Sequence, residues 1–198
     1  MKSLRNIPRA YMWIAALIVI IVLGGVWVWM NFIQTYHYAV VQPKVLYRDG
    51  FRTVREFNTG VNNARAKTIV CLVDTKELEN EPFAIEHDYC RKSDIRFLSI
   101  PVPLGGWPTD ENVKQFLETV QKPKNQPVLV HCAQGVRRTG MMVAAYQMSV
   151  LGWDKEKTKK EILTFGHSRR SIGDIEKFID GYDPVAKTTV SGMPVGAE

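Results

Sequence analysis

The chain has 198 residues, of which 45% are hydrophobic, and a formal net charge of +6. This length suits one domain with an accessory segment, and three cysteines are too few for a scaffold held together by disulfides. Because Lys2, Arg5 and Arg9 lie ahead of the first long apolar segment, the remaining sequence is only mildly basic, which suits an anionic substrate and gives no indication of nucleic-acid binding.

The first long apolar segment, 11–33, contains no acidic or basic residue and is long enough to cross a bilayer as a helix. Aromatic residues lie near both of its ends, as they do at the two interfaces of a membrane: Tyr11, Trp13, Trp27 and Trp29. We therefore predict a retained transmembrane helix. The alternative is a cleavable signal peptide, whose apolar core is normally shorter and is followed by small residues, whereas 31–41 contains bulky ones.

Basic residues flank this segment on one side only. Lys2, Arg5 and Arg9 precede it, and no lysine or arginine lies between its end and Lys44. The positive-inside rule predicts a cytoplasmic N-terminus at 1–10 and places the rest of the chain in the periplasm or another extracytoplasmic compartment. We expect one domain at 37–182, followed by a loose tail of small and polar residues at 183–198.

Strands and helices alternate in the predicted domain. The segment 66–74 reads as a buried strand with Cys71 in the core, and a helix through Glu86 and Tyr89 leads to a second strand at 95–103. Cys90 lies between them, and in an exported domain Cys71 and Cys90 could pair or oxidise. Two more helices are predicted at 154–166 and 172–182.

The most informative stretch, 127–146, reads as a buried strand, a tight turn and an apolar helix that begins at Gly140. Five residues separate Cys132 from Arg138, and backbone N–H groups in such a turn can form an anion-binding nest. The planar guanidinium of Arg138 can donate hydrogen bonds to two phosphate oxygens at once. Beside His131 in this positive field, Cys132 should ionise below the pKa of about 8.5 of a free cysteine and act as a nucleophile.

These residues resemble the signature of the cysteine-dependent tyrosine and dual-specificity phosphatases: His131, Cys132, Gly135, Arg138, Thr139 and Gly140. Near the first strand, Tyr47, Arg48 and Gly50 also match a Tyr-Arg-Ser-Gly turn of bacterial and fungal members, with Asp49 in place of the serine. Arg48 and Arg52 could approach the substrate, but we expect both to be solvated or salt-bridged surface residues.

The resemblance extends from about 40 to 182 and implies an α/β fold with a mostly parallel central sheet flanked by helices. It also implies two-step hydrolysis of a phosphate monoester through a phosphocysteine, with no metal or other cofactor. In this scheme Cys132 is the nucleophile and Thr139 supports its sulfur. The residues predicted to bind phosphate are Ala133, Gln134, Gly135, Val136, Arg137 and Arg138.

The second part of the chemistry is a carboxylic acid that protonates the leaving oxygen. Trp107, Pro108 and Asp110 resemble the Trp-Pro-Asp loop of tyrosine phosphatases, with Thr109 inserted, so we predict Asp110 as the proton donor. Thr109 equally suits the N-cap of a helix that begins at Asp110, which explains this carboxylate without catalysis. The remaining candidate acids are Glu111, Asp94 and Asp74.

The substrate class is less defined by the sequence. Among the variable loop positions only Arg137 adds a positive charge to Arg138, whereas relatives that act on inositol phosphates or phosphoinositides usually carry more. A phosphotyrosine or mixed phosphoprotein substrate is therefore ranked first, ahead of phosphoinositides, inositol phosphates and phospholipid head groups. A binding module without turnover and a rhodanese-type sulfurtransferase are the alternatives from other classes.

Overall fold

The computed structural model describes residues 9–28, 36–162, 164–165 and 168–184, and it divides into two compact units after Gln34. In the first unit a single helix, α1, runs over Arg9–Val28. Its segment Tyr11–Val28 has a mean hydropathy of 2.4, and α1 is the one helix in the described ranges that is long and apolar enough to cross a membrane. Residues 1–8 and 29–33, which belong to the predicted N-terminus and transmembrane segment, lie outside the described residues.

The second unit contains five strands and seven α-helices within its described residues. Along the chain they are β1 (Tyr36–Gln42), β2 (Leu46–Gly50), α2 (Val54–Ala64), β3 (Thr68–Cys71), α3 (Thr75–Leu78), α4 (Glu86–Lys92), β4 (Arg96–Ser99), α5 (Asp110–Gln121), β5 (Val128–Cys132), α6 (Arg137–Ser149), α7 (Lys155–Ile162) and α8 (Arg169–Gly181). Short 3₁₀ turns at Phe83–Ile85 and Pro123–Asn125 precede α4 and β5. Of the predicted tail, everything after 184 lies outside the described residues.

The five strands form one sheet in the order β1-β2-β5-β3-β4. The hairpin strand β1 is antiparallel to β2, and the other three pairings are parallel. The predicted fold, a mostly parallel central sheet flanked by helices, is confirmed. Since parallel strands end at the same edge, the carboxyl ends of β2, β3 and β5 lie together, with Gly50 opposite Cys132 and Cys71 opposite His131.

Both faces of the sheet are covered, because alternate residues of the central strand β5 enter two different cores. Val128 and Val130 pack with side chains of α5, α6 and α8, whereas Leu129 packs with side chains of α2 and α4. Cys71 and Cys90 are both buried in the second core, and neither forms a disulfide. The buried strand thus holds the chain rigidly up to Cys132, where the sheet ends.

The helix after β5 begins at Arg137, three residues before the predicted start at Gly140. The physical reason is Gly135, whose φ of +66° turns the chain so sharply that it enters the helix at once. Arg138 and Thr139 therefore lie in the first turn of α6 and not in an extended loop.

Candidate active site

A cavity of about 330 Å³ lies at the carboxyl edge of the sheet, where Cys132 ends β5. The residues that line it are Glu77, Leu104, Gly105, Cys132, Ala133, Gln134, Arg137, Arg138 and Ser171. Cys132 itself is only 2% exposed. The structure therefore brings together the predicted nucleophile and most of the predicted phosphate-binding positions.

The end of β2 holds the nucleophile loop, residues 132–138, in shape. The Phe51 N–H donates to the Ala133 carbonyl at 3.1 Å, and Arg48 Nη2 donates to the Gly135 carbonyl at 2.8 Å. Arg48 is fully buried, with its guanidinium 3.8 Å from the centre of the Phe165 ring. The expectation that Arg48 lies at the surface is wrong, because its buried side chain donates a hydrogen bond to the nucleophile loop.

Gly135 lies so close to β2 that a side chain has no room. A Cβ at this position would lie 2.6 Å from the Asp49 carbonyl oxygen and from the Gly50 nitrogen. Gly135→Ala should therefore displace the loop, and we expect kcat/KM on an aryl phosphate to fall about 100-fold, the usual effect of a misplacement near 1 Å. Steady-state kinetics measure the loss of activity, and the melting temperature measures any loss of stability.

The matched control is Gly152→Ala. Gly152 has nearly the same φ, +67°, but nothing lies within 4 Å of an added Cβ, so only the conformational penalty of about 1 kcal/mol applies. If both variants behave alike, the close approach of β2 to Gly135 does not shape the loop.

Arg138 is held by a carboxylate that the sequence analysis did not identify. Arg138 Nη2 donates to Glu77 Oε1 at 3.0 Å, and Nη1 donates to Glu77 Oε2. Burial alone would raise the pKa of Glu77, but hydrogen bonds from Arg138 and the Asp74 N–H outweigh burial and lower it. Glu77 is thus a poor proton donor and a good anchor for the Arg138 fork. Its signal in the sequence is an acid shortly after the end of a buried strand.

His131 faces away from the cavity. Its Nε2 lies 3.0 Å from Glu86 Oε2, both side chains are fully buried, and its ring packs against Phe51 in the second core. Cys71 completes a cluster whose donor atoms lie within 4.8 Å of one another, a combination that could in principle hold a metal ion. Burial, followed by the charge of Glu86, raises the pKa of the Cys71 thiol well above its ordinary value.

Two other predicted site residues in the first turn of α6, Thr139 and Arg137, differ in their hydrogen bonding. Thr139 is fully buried, and its hydroxyl has no hydrogen-bond partner among the described residues. Arg137 lines the cavity, but its guanidinium is engaged by Asp174 of α8 and by backbone carbonyls of the loop 101–109.

Asp110 lies outside the Cys132 cavity. It is the first residue of α5, capped by Thr109 in a reciprocal arrangement with Asn112, and it lines a neighbouring groove of about 580 Å³ together with Trp107 and Glu111. The capping interpretation of Thr109 is confirmed.

The other candidate acids lie at different places. Asp94 lies before the amino end of β4, at the opposite edge of the sheet, so it cannot serve this cavity. Asp74, by contrast, directly precedes α3, close to Glu77, and lies at the same carboxyl edge of the sheet as Cys132.

Asp49, the residue in place of the family's serine, is buried beside the loop. Burial, together with the charge of Glu56, raises the pKa of its carboxyl to about 8, although the Gly50 N–H partly opposes this shift by donating to it. An unfolded aspartate ionises near pH 4, so between pH 4 and 8 unfolding releases a proton from Asp49. The free energy of unfolding should therefore fall as the pH rises through this range.

Asp49→Asn should remove this dependence, because the amide does not ionise. We expect the variant to gain roughly 3 kcal/mol relative to the wild type between pH 5 and 7.5, measured by urea unfolding of the full chain in detergent micelles. Asp88→Asn, on the exposed surface of α4, is the control and should not alter the pH dependence. Parallel stability curves for Asp49→Asn and wild type would show that Asp49 ionises normally in the folded state.

The chain is similar to known phosphatases in both sequence and fold. The model of a family described as a DSP-PTPase phosphatase fused to NAD⁺ kinase matches residues 46–175. The dual specificity protein phosphatase TpbA of Pseudomonas aeruginosa is 25% identical over 138 residues, which cover 69% of this chain and 61% of TpbA. The putative tyrosine-protein phosphatase OCA1 of Eremothecium gossypii is 26% identical over 167 residues, covering 77% and 71%. The chain therefore spans less than two thirds of the length of TpbA.

Solved structures share the fold. The core catalytic domain of the PP-IP phosphatase SIW14 from S. cerevisiae has a TM-score of 0.61 at 22% identity, over 76% of this chain and 88% of that one. The crystal structure of P. aeruginosa TpbA has a TM-score of 0.59 at 24% identity, over 75% and 86%. At these identities the likeness establishes the arrangement of strands and helices around the cavity.

Proposed function

We propose that this chain, which belongs to the DSP-PTPase phosphatase family, hydrolyses phosphate monoesters by attack of Cys132 on phosphorus. The observation that carries the proposal is the cavity in which Cys132 lies beside an arginine fork fixed by Glu77. A tetrahedral dianion that enters it meets the backbone of the nucleophile loop at the N-terminus of α6, where anions are favoured.

In the proposed reaction the Cys132 thiolate forms a bond to phosphorus while the bond to the leaving oxygen breaks. The amides of the nucleophile loop and the Arg138 guanidinium hold the three equatorial oxygens as charge shifts in the transition state. Water then attacks phosphorus and gives a proton back to the carboxylate that protonated the leaving oxygen, while the P–S bond breaks and phosphate is released. The Thr139 hydroxyl, which has no hydrogen-bond partner among the described residues, donates to the departing sulfur.

The proton for the leaving oxygen comes, in this proposal, from Asp110. Glu77 lines the cavity, but its lowered pKa and its ion pair with Arg138 make it unsuitable. Asp110 follows directly on the loop 101–109, which borders the cavity at Leu104 and Gly105. With Gly105 and Gly106 held by Arg137, a movement confined to 107–110 brings the carboxylate to the leaving group.

Asp110→Asn should lower kcat on an aryl phosphate about 100-fold or more and flatten the basic limb of the pH profile, since the amide cannot donate the proton. Glu118→Gln, which alters an exposed carboxylate further along the same helix, is the matched control and should retain activity. Unchanged kinetics for Asp110→Asn, with a loss for Asp74→Asn, would transfer the role to the carboxylate before α3.

For the substrate we propose a phosphorylated protein, with phosphotyrosine first. The two arginines of the cavity are already paired, Arg138 with Glu77 and Arg137 with Asp174, which leaves little surplus charge for a polyphosphate. Leu104 adds an apolar side chain at the rim, 76% exposed, where an aryl ring can pack. The likeness to SIW14, a PP-IP phosphatase, keeps inositol phosphates as the second candidate class.

A substrate panel tests both the activity and its class. Metal-independent hydrolysis of a phosphotyrosyl peptide, inhibited by vanadate and faster than hydrolysis of phosphoinositides and inositol phosphates, is the expected result. Faster turnover of an inositol phosphate would overturn the substrate class. Tight phosphopeptide binding without detectable turnover would favour the binding module. Membership of a phosphatase family excludes the sulfurtransferase alternative.

We also propose that α1 anchors the protein in a membrane with residues 1–10 in the cytoplasm and the catalytic unit outside it. The support is the apolar length of α1 and the basic residues on its N-terminal side alone. A reporter enzyme fused at the C-terminus should be active only outside the cytoplasm. A mature chain that begins after α1 would instead establish the cleaved signal peptide.

A further inference from the structure

Arg137 directly precedes Arg138, the proposed phosphate ligand, but its side chain binds different partners. Its Nε donates to Asp174 Oδ2 at 2.8 Å, Nη1 donates to the Gly106 carbonyl at 2.6 Å, and Nη2 donates to the Gly105 carbonyl at 3.1 Å. One planar guanidinium therefore joins the start of α6, the helix α8 and the loop 101–109.

The loop 101–109 turns back on itself where it borders the cavity. The Gly106 N–H donates to the Pro103 carbonyl, and Gly105 has a φ of +78°. Val102 is buried in the core and Trp107 packs against Phe178 of α8, whereas Leu104, between them, is 76% exposed. The carbonyls that Arg137 binds are consecutive, so their orientation is fixed at the point where the loop borders the cavity.

We propose that Arg137 is a positioning residue that holds the loop 101–109 against the nucleophile loop, and that it is not a phosphate ligand. The inference rests on the proposed function and deepens it, because this loop leads into Asp110, the proposed proton donor. Asp174 neutralises the charge of Arg137 and directs its guanidinium to α8 and the loop, so the phosphate in this proposal is bound by Arg138 and the loop amides.

The geometry explains why an arginine is required. Three of its five N–H groups are used at once on three acceptors that no single ammonium can reach in one plane. Arg137→Lys keeps the positive charge but loses the planar arrangement of three donors. Asp174→Asn keeps the arginine but removes the negative charge that orients it. These two variants give opposite results for a positioning residue and for a phosphate ligand.

The experiment compares Arg137→Ala, Arg137→Lys and Asp174→Asn in the full chain in detergent micelles. A positioning role predicts a fall in kcat of about 10- to 100-fold for both Arg137 variants and a smaller fall for Asp174→Asn, with the inhibition constant of inorganic phosphate changed less than about threefold. A phosphate ligand predicts weaker phosphate binding in Arg137→Ala, near-normal behaviour in Arg137→Lys, and tighter binding in Asp174→Asn, since the freed guanidinium would turn to the anion. Either part of that second pattern would overturn the proposal.

Amide hydrogen exchange gives a readout that does not depend on turnover. Exchange at 104–107 should accelerate in Arg137→Ala and Arg137→Lys, and it should stay unchanged in Arg91→Ala, which alters an exposed arginine on α4. Unchanged exchange in all three would overturn the proposal even in an active enzyme. Accelerated exchange in a chain without phosphatase activity would support the attachment and place the failure in the proposed function.

Discussion

Cys132→Ser should lower kcat on an aryl phosphate at least about 10⁴-fold while inorganic phosphate still binds. The expected loss is this large because a serine hydroxyl does not ionise near neutral pH and is a much weaker nucleophile than a thiolate. The other groups of the site act together with the nucleophile, so they cannot compensate for its loss. The side chain of Cys132 is 2% exposed, and the hydroxyl is smaller than the thiol, so the substitution should not disturb the fold. Steady-state kinetics and phosphate inhibition measure the two quantities separately.

Cys90→Ala is the matched control for this experiment. Cys90 is equally buried but belongs to the core between the sheet and helices α2 and α4, so its loss should affect stability and leave the chemistry intact. Turnover by Cys132→Ser above about 1% of the wild-type rate would remove Cys132 as the nucleophile, whatever the behaviour of Cys90→Ala.

Arg138→Lys is expected to cost about 10³-fold in kcat/KM, because an ammonium cannot replace a bidentate fork on the equatorial oxygens of the transition state. The partly buried ion pair makes the effect larger, since the single ammonium of the variant could not bind both Glu77 oxygens as the Arg138 guanidinium does. Kinetics on an aryl phosphate and the inhibition constant of vanadate, an analogue of the transition state, measure this loss.

Glu77→Gln distinguishes the two functions of the pair. It removes the anchor and keeps the arginine, so we expect a fall of roughly 10-fold in kcat/KM, well below that of Arg138→Lys. Equal losses in the two variants would mean that the Glu77 carboxylate takes part in the reaction directly. Lys76→Gln, on the same short helix and exposed, should have no effect.

The sequence predicted those parts of the site that depend on local chain geometry. A buried strand, a glycine turn and an apolar helix follow one another within 127–146, and this order is enough to place Cys132 and Arg138 together. The sheet could likewise be predicted, since the β-branched strands between helical segments favour parallel pairing.

Contacts between distant segments could not be predicted in the same way. Glu77 meets Arg138 across 61 positions of the chain, and Arg137 meets Asp174 across 37. The burial of Arg48 depends on Gly135, 87 positions away. The pairings of Glu77 and Arg48 follow from the order of the strands in the sheet, and that of Asp174 from the packing of α8 on α6. A pattern of hydrophobic residues specifies neither.

The support of the nucleophile loop by β2 makes the loop part of the cooperative unit of the fold. Its hydrogen bonds to Phe51 and Arg48 connect it to a strand that is paired on both sides, so the loop can open only when the sheet itself opens. Under the proposed function, the conformational entropy of ordering the loop amides is therefore lost once, during folding, and not again with each substrate. Substitutions at Arg48 or Gly135 should then lower stability and turnover together.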